Sequence, residues 1–135
     1  MRDYFSVIQP ELKIASHLSL SGLSSLRHDL TAPEANLQVS GRKYDPSFQV
    51  RPHSHLGVRR ETIGTSESWV VIKGSVEATL FDLDDKFIRK VALREGDCIV
   101  FFNGGHGLQT GNEGAVVYEF KNGPYYGVEA DKREI

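Results

Sequence analysis

The residues of this chain whose spacing points to chemistry are two histidines separated by a serine. His53 and His55 flank Ser54. In a β-strand, residues i and i+2 face the same side, so both imidazoles would leave one face of a strand. Two neutral imidazoles on one face suit a divalent transition metal such as Zn, Fe, Mn, Co, Cu or Ni. The pair alone is weak support, because hydrogen-bonded histidine pairs also occur on polar strands.

Two further potential metal ligands follow along the chain. Glu67 opens the apolar run SWVVI and lies seven residues before Gly74, and His106 lies in the sequence NGGHG just after the apolar run CIVFF. Three imidazoles and one carboxylate would form a mixed nitrogen and oxygen site. Such a site leaves one or two coordination positions open for water or substrate, as catalytic metal sites do.

Other polar side chains are candidates for binding a ligand beside this site. Gln49 and Arg51 would share the strand face of the two histidines, and Arg51 could bind a carboxylate or a phosphate. The alternative for Arg51 is a surface arginine beside Pro52. Arg60 could reach the site from the segment that precedes Glu67. Trp69 is either a stacking wall for a sugar or ring, or simply a core residue.

The candidates for an acid or base lie on the last predicted strand, residues 115–121. Tyr118 and Glu119 are neighbours there and must face opposite sides of the strand. One of them faces the cavity, and the pattern alone leaves open which. A positioned acid or base would favour an enzyme over a binding protein.

The elements that must position these residues are β-strands. Alternating or continuous apolar runs bounded by turn residues predict strands over residues 36–39, 48–55, 68–72, 76–82, 87–93, 98–102 and 115–121. Many short strands with turn signals every ~8–12 residues indicate a sandwich or barrel. Residues 1–35 are harder to interpret, and we predict an N-terminal arm packed on a barrel formed by residues 36–135.

Composition limits the class of protein and of partner. The chain has 135 residues, a net charge of -2 and a single cysteine, Cys98. This balance gives no electrostatic footprint for nucleic acid or for an anionic membrane. No apolar run approaches the ~20 residues that span a bilayer, and the N-terminus has no signal-peptide pattern. We therefore expect a cytoplasmic protein with no nucleic-acid or membrane partner.

These residues resemble the first motif of the cupin superfamily, G-x5-H-x-H-x3,4-E-x6-G, within roughly residues 40–120. His53, His55, Glu67 and Gly74 supply its positions, with the spacing from the glutamate to the glycine intact. Eleven residues, 56–66, separate His55 from Glu67, where the family has three or four. That insertion is expected to form a loop at the mouth of the site, and it makes Glu61 a rival for the carboxylate ligand.

The second cupin motif, G-x5-P-x-G-x2-H-x3-N, matches less closely. Gly96 and Gly104 hold the glycine places, Phe102 replaces the proline, and His106 comes one residue early. The segments HSH, RRETIGTSE, GGHG and EFKNGPYYGVEADK are similar to a group of small bacterial cupins, the WbuC-type cupin metalloproteins, which are associated with surface-polysaccharide genes.

The resemblance implies an all-β fold, a cupin double-stranded β-helix or jelly-roll barrel, with one divalent metal held by His53, His55, Glu67 and His106. It implies a small-molecule ligand in the barrel cavity and a homodimer formed through strand edges. The expected function is metal-assisted chemistry on a small polar molecule, such as isomerisation or epimerisation of a sugar or polysaccharide precursor. A non-catalytic carbohydrate-binding cupin and an iron-dependent dioxygenase are the alternatives.

Overall fold

Eight β-strands make up most of the regular structure in this computed structural model, which describes residues 1–24 and 26–135. The helical elements are a short 3₁₀ turn, Leu20–Gly22, and one four-residue helix, α1, Val128–Asp131. None of the helices in the described residues is long and apolar enough to span a membrane. The strands are β1 (Arg2–Phe5), β2 (Lys13–Leu18), β3 (Arg27–Asp29), β4 (Ser40–Arg42), β5 (Glu67–Phe81), β6 (Phe87–Arg94), β7 (Cys98–Phe101) and β8 (Gly105–Lys121). The predicted all-β class is therefore confirmed.

The main sheet is antiparallel and is built around β5. Its order is β1-β2-β7-β5-β6, and β8 also pairs with β5. The first part of β5 pairs with β7 and the last part with β6, whereas β8 follows β5 from Glu67 to Phe81. Among the described residues, this pairing does not close into a barrel. β5 and β8 are therefore neighbours along the whole of β5.

Gly74 lets β5 continue where the sequence predicted that the strand would stop. Its φ is 79°, and the pairing with β8 shifts register on both sides of it. A Cβ at this position would lie 2.3 Å from the carbonyl oxygen of Gly114, so only glycine fits. A positive φ carries little cost for glycine alone. The strand therefore bends here instead of ending.

The apolar core follows the alternation of the strands. Buried side chains of β5, β6 and β7 form the larger cluster, which includes Val71, Leu80, Leu93 and Ile99. A smaller cluster of Leu18, Leu30 and Val100 lies with Leu23 and Val39 beside the β3–β4 hairpin. These clusters explain why the strands predicted over residues 87–93 and 98–102 occur within about a residue of those limits. Residues 76–82 were predicted as a separate strand, but they form the second half of β5.

The first residues of the chain are joined to this sheet. β2 pairs with β7, and β1 pairs with β2. The buried carboxylate of Asp82 accepts hydrogen bonds from the Ser6 hydroxyl at 2.6 Å and from the Val7 amide at 2.6 Å. The division into an arm and a barrel remains a prediction, but β1 and β2 are integral strands of the sheet.

The strand predicted over residues 48–55 is wrong for this structure. No helix or strand occurs between Arg42 and Glu67, and all of residues 43–63 are exposed. A strand needs a neighbouring strand to pair its backbone groups, and Pro52 has no N–H to offer. Apolar and polar residues therefore alternate in this segment without its pairing with another strand. The strand predicted over 36–39 is also displaced, since β4 begins at Ser40.

Candidate functional site

A cleft of about 1080 Å³ lies over one face of β5 and β8. Its other walls are formed by the turn between β5 and β6, the C-terminal segment that follows β8, and residues 62–65 before β5. Its lining includes the polar and charged side chains of Glu67, Trp69, Asp85, His106, Glu119, Asn122, Asp131, Lys132 and Arg133. Two residues that the sequence analysis selected from separate motifs, Glu67 and His106, thus line the same cleft.

Glu67 and His106 contact each other at the wall of this cleft. The Nε2 atom of His106 lies 3.4 Å from Oε1 of Glu67. The indole N–H of Trp69 donates a hydrogen bond of 2.5 Å to the same oxygen. The ammonium group of Lys132 lies 3.9 Å from Oε2. The Glu67 side chain is only 3% exposed, so these neighbours replace most of the water around the carboxylate.

The carboxylate of Glu67 is ionised over the ordinary pH range. Burial raises its pKa, but this effect is outweighed by the hydrogen bond from His106 and by the charge of that imidazole. The hydrogen bond from Trp69 and the charge of Lys132 act in the same direction, and together they lower the pKa of Glu67 to about 2. Hydrogen bonds and opposite charges favour the charged form of a carboxylate in this way.

The imidazole of His106 is held in place by two aromatic rings. The ring of Phe101 stacks on it, with centroids 4.1 Å apart and planes 16° from parallel. The ring of Trp69 contacts it edge-on, with centroids 5.2 Å apart. His106 follows Gly104, whose φ is 67° and whose Cβ would lie 2.3 Å from the Phe81 carbonyl oxygen. The glycine therefore allows the tight entry into β8 that places the imidazole against Glu67.

The C-terminal segment forms one wall of the cleft and is held to the sheet by ion pairs. Arg133 binds Asp85, in the turn between β5 and β6, through two hydrogen bonds of 2.9 and 2.7 Å. Asp131 accepts hydrogen bonds from Lys121 at 3.2 Å and from Thr65 at 3.1 Å. These charged residues follow no periodic pattern, so the sequence does not distinguish them from an ordinary charged surface. Only the fold brings them to Glu67 and His106.

The four predicted metal ligands do not form one site in this arrangement. His53 and His55 lie together on the exposed segment 43–65, with ring centroids 5.4 Å apart, and Nδ1 of His53 is 2.9 Å from the Arg51 carbonyl oxygen. Among residues 1–24 and 26–135, no three histidine, cysteine or acidic side chains are placed to hold a metal ion together. The predicted ligands occur instead as two pairs, Glu67 with His106 and His53 with His55. The residues as placed do not fit a metal ion.

The residues predicted to bind a ligand beside the metal are divided in the same way. Gln49, Arg51 and Arg60 are exposed on segment 43–65 and do not line the cleft. Because Gln49 and Arg51 are not on a strand here, the geometric reason for placing them in the cavity is lost. Trp69 lines the cleft but is 5% exposed and donates its N–H to Glu67. Glu61, the rival carboxylate, forms an ion pair with Arg59 on the surface.

The two acid or base candidates face opposite sides of β8, as predicted, and the structure shows which one faces the cleft. Glu119 pairs with Trp69 in the sheet and lines the cleft. Tyr118 pairs with Val70, is 59% exposed and lies on the other face. Of the two candidates, only Glu119 can reach a molecule in the cleft.

Comparison with protein-family models, curated proteins and solved structures found no match to this chain. The geometry of the cleft therefore carries the functional argument.

Proposed function

We propose that this protein binds a small polar molecule in the cleft and that Glu67 and His106 form its chemical centre. The observation that carries the proposal is the contact of 3.4 Å between the imidazole of His106 and the buried carboxylate of Glu67. A carboxylate that orients an imidazole is a recurring arrangement in acid–base catalysis. The pair lies at the wall of an open cleft, where a bound molecule can reach it.

The carboxylate supports proton transfer by fixing the state of the imidazole. Because Glu67 is ionised and can only accept hydrogen bonds, it favours the tautomer of His106 that carries its proton on Nε2. Nδ1 is then an acceptor, and it can take a proton from a carbon or hydroxyl of the bound molecule. The imidazolium formed is stabilised by the carboxylate, and it can return the proton to a neighbouring atom. This sequence suits isomerisation or epimerisation of a sugar or keto acid.

The lining of the cleft supports a polar ligand. Its volume of about 1080 Å³ lies just above the ~300–1000 Å³ range of ordinary ligand pockets. Lys132 offers a half-exposed cation that suits a carboxylate or phosphate, and Glu119 and Asn122 offer hydrogen-bonding groups. Sugars, sugar phosphates and keto acids carry complementary groups.

A solvent-deuterium screen tests the proposal. The protein is incubated in D2O with a panel of aldoses, ketoses, sugar phosphates and keto acids, and C–H exchange is followed by mass spectrometry. We expect exchange in at least one compound, reduced by about 10²-fold or more in His106→Asn, since a general base contributes about 10²–10⁴ in rate.

The matched control for this screen is His17→Asn. His17 also contacts a carboxylate, with Nε2 3.2 Å from Asp97, but it lies outside the cleft. The catalytic proposal would be contradicted if His106→Asn exchanged as fast as wild type. It would also be contradicted if wild type showed no exchange with any compound. Thermal stabilisation by a compound without exchange would support a binding protein instead.

A metal-binding cupin remains a second proposal. It is favoured by one observation: Glu67 and His106, which the two cupin-like motifs supply, lie 3.4 Å apart. Protein purified without a polyhistidine tag should contain near-stoichiometric divalent metal by mass spectrometry of the ions, and His53→Ala and His106→Ala should lose it. Equal metal content in all three proteins would refute this proposal.

A further inference from the structure

The outer edge of β8 is an unused site for strand pairing. β8 has 17 residues and pairs with β5 along one edge; in the described part of the chain no strand pairs along the other. On one face of β8 the apolar side chains of Val116, Tyr118 and Phe120 are each about half exposed, at 48%, 59% and 51%. Long edges with apolar side chains are templates for another strand, and proteins usually cover them.

Residues 48–55 have the pattern of a strand but no partner. Phe48 and Val50 alternate with Gln49 and Arg51, and all of these side chains are exposed. Phe48 and Val50 are 48% and 57% exposed. An apolar and polar alternation of this kind is typical of a strand with one buried face. The segment therefore lacks a strand to pair with, and the outer edge of β8 lacks a strand that covers it.

We propose that residues 48–55 dock antiparallel on the outer edge of β8 as an additional strand, giving the chain a second, closed conformation. Pairing in the rest of the main sheet is also antiparallel. Pro52 is compatible with this position, because the docked segment becomes an edge strand whose missing N–H can face solvent.

The chain between the docked segment and β5 is long enough to allow this. Residues 56–66 extend to about 40 Å at ~3.3–3.6 Å per residue. If the segment lies antiparallel on the last seven residues of β8, its end at His55 is about 24 Å from the start of β5, at ~3.4 Å per residue. The long insertion between His55 and Glu67 thus gives the segment the reach that docking requires.

The alternation of side chains decides which face each residue would occupy. Val116, Tyr118 and Phe120 lie on the face of β8 opposite to Glu119 and the cleft. If Phe48 and Val50 cover this apolar row, residues 49, 51, 53 and 55 must lie on the cleft face, because the strand period is two.

Docking would therefore place His53 and His55 on the face that carries Glu67 and His106. The docking itself depends only on the edge and the apolar row. In this register His55 lies about 24 Å along the sheet from Glu67, so docking by itself does not bring the four predicted metal ligands together.

Paired cysteines test the docking and its face. In a Cys98→Ser background, Val50→Cys is combined in turn with Val116→Cys, Tyr118→Cys and Phe120→Cys. The matched control series replaces Val50→Cys by Gln49→Cys, its neighbour on the other face. Under mild oxidation at low protein concentration with chelator present, we expect an intramolecular disulfide in at least one Val50 pair, formed at least about tenfold faster than in any Gln49 pair, because a disulfide needs Cβ atoms ~3.5–4.5 Å apart.

Three results of this experiment would overturn the proposal. They are equal rates in the two series, the absence of any intramolecular disulfide, and disulfides that form only between chains. The last result would assign the edge to a second copy of the chain. Because chelator is present, disulfide formation is independent of metal, so a protein that fails the metal analysis can still pass this test.

Hydrogen exchange of the unmodified protein provides a second measurement that no misfolded variant can obscure. Amides of residues 48–55 should exchange at least about tenfold more slowly than those of residues 56–63, which belong to the same exposed segment. Equal exchange in both stretches, at the rate of an unstructured chain, would refute docking.

Discussion

Replacement of Glu67 by glutamine should lower stability in a way that depends on pH. Glutamine keeps the size of the side chain and can accept the Trp69 hydrogen bond, but it has no charge for His106 and Lys132. The pKa of Glu67 falls from 4.5 to about 2 in the folded protein. At ~1.4 kcal/mol for each tenfold change, this corresponds to an upper value of about 3 kcal/mol from the ionised carboxylate.

The direction of the pH dependence follows from the lowered pKa. A carboxylate with a depressed pKa stabilises the fold fully above its unfolded pKa of 4.5, and this contribution is lost as pH falls towards 2. Urea unfolding followed by tryptophan fluorescence should therefore show Glu67→Gln less stable than wild type by up to about 3 kcal/mol at pH 6. The difference should shrink steadily below pH 4.5.

Glu61→Gln is the matched control, because Glu61 is an exposed glutamate paired with Arg59. A surface ion pair contributes ~0–1 kcal/mol, so this variant should stay close to wild type. A Glu67→Gln variant as stable as wild type at pH 6, or a difference that does not change between pH 6 and pH 3, would refute the account of the buried carboxylate.

Three further predictions concern the rest of the molecule. Asp82→Asn should lower the urea midpoint of unfolding, because Asp82 accepts hydrogen bonds from Ser6 and Val7. Asp84→Asn, in the exposed turn, should leave the midpoint unchanged. Equal midpoints for the two variants would contradict the role of Asp82 in holding the first residues of the chain to the sheet. Arg133→Ala should speed proteolysis of the C-terminal segment, because it removes the two hydrogen bonds to Asp85, whereas Lys86→Ala should leave cleavage unchanged. We also expect a homodimer in solution, so light scattering should give about twice the 15.1 kDa chain mass, and a monomer mass would refute it.

The parts of the fold that could be predicted from sequence are those in which local pattern and tertiary pairing agree. β6 and β7 alternate or bury apolar residues as expected, and Asp85 in the turn between β5 and β6 has a positive φ of 64°, which suits a tight turn. Residues 48–55 show the limit of this reasoning. Their alternation predicts a strand, but a strand forms only with a partner, which a local pattern does not supply.

The candidate site was predictable only in part, for a similar reason. Spacing selected Glu67 and His106, which the fold brings into contact. It did not identify Lys132 or Asp131, because these belong to a charged C-terminal stretch that resembles an ordinary solvated surface. Nor did the pattern show that Trp69 holds the carboxylate, since a tryptophan on a strand is equally expected in a core.

The tautomer of His106 tests the central claim most directly. Long-range ¹H–¹⁵N correlation of the imidazole nitrogens reports which one carries the proton when the ring is neutral. Our account predicts that Nε2 is protonated, because it faces the ionised carboxylate of Glu67 at 3.4 Å, and that Nδ1 is the acceptor available to a bound molecule. A neutral His106 protonated on Nδ1 would contradict the proposal that Glu67 and His106 form the chemical centre of this protein.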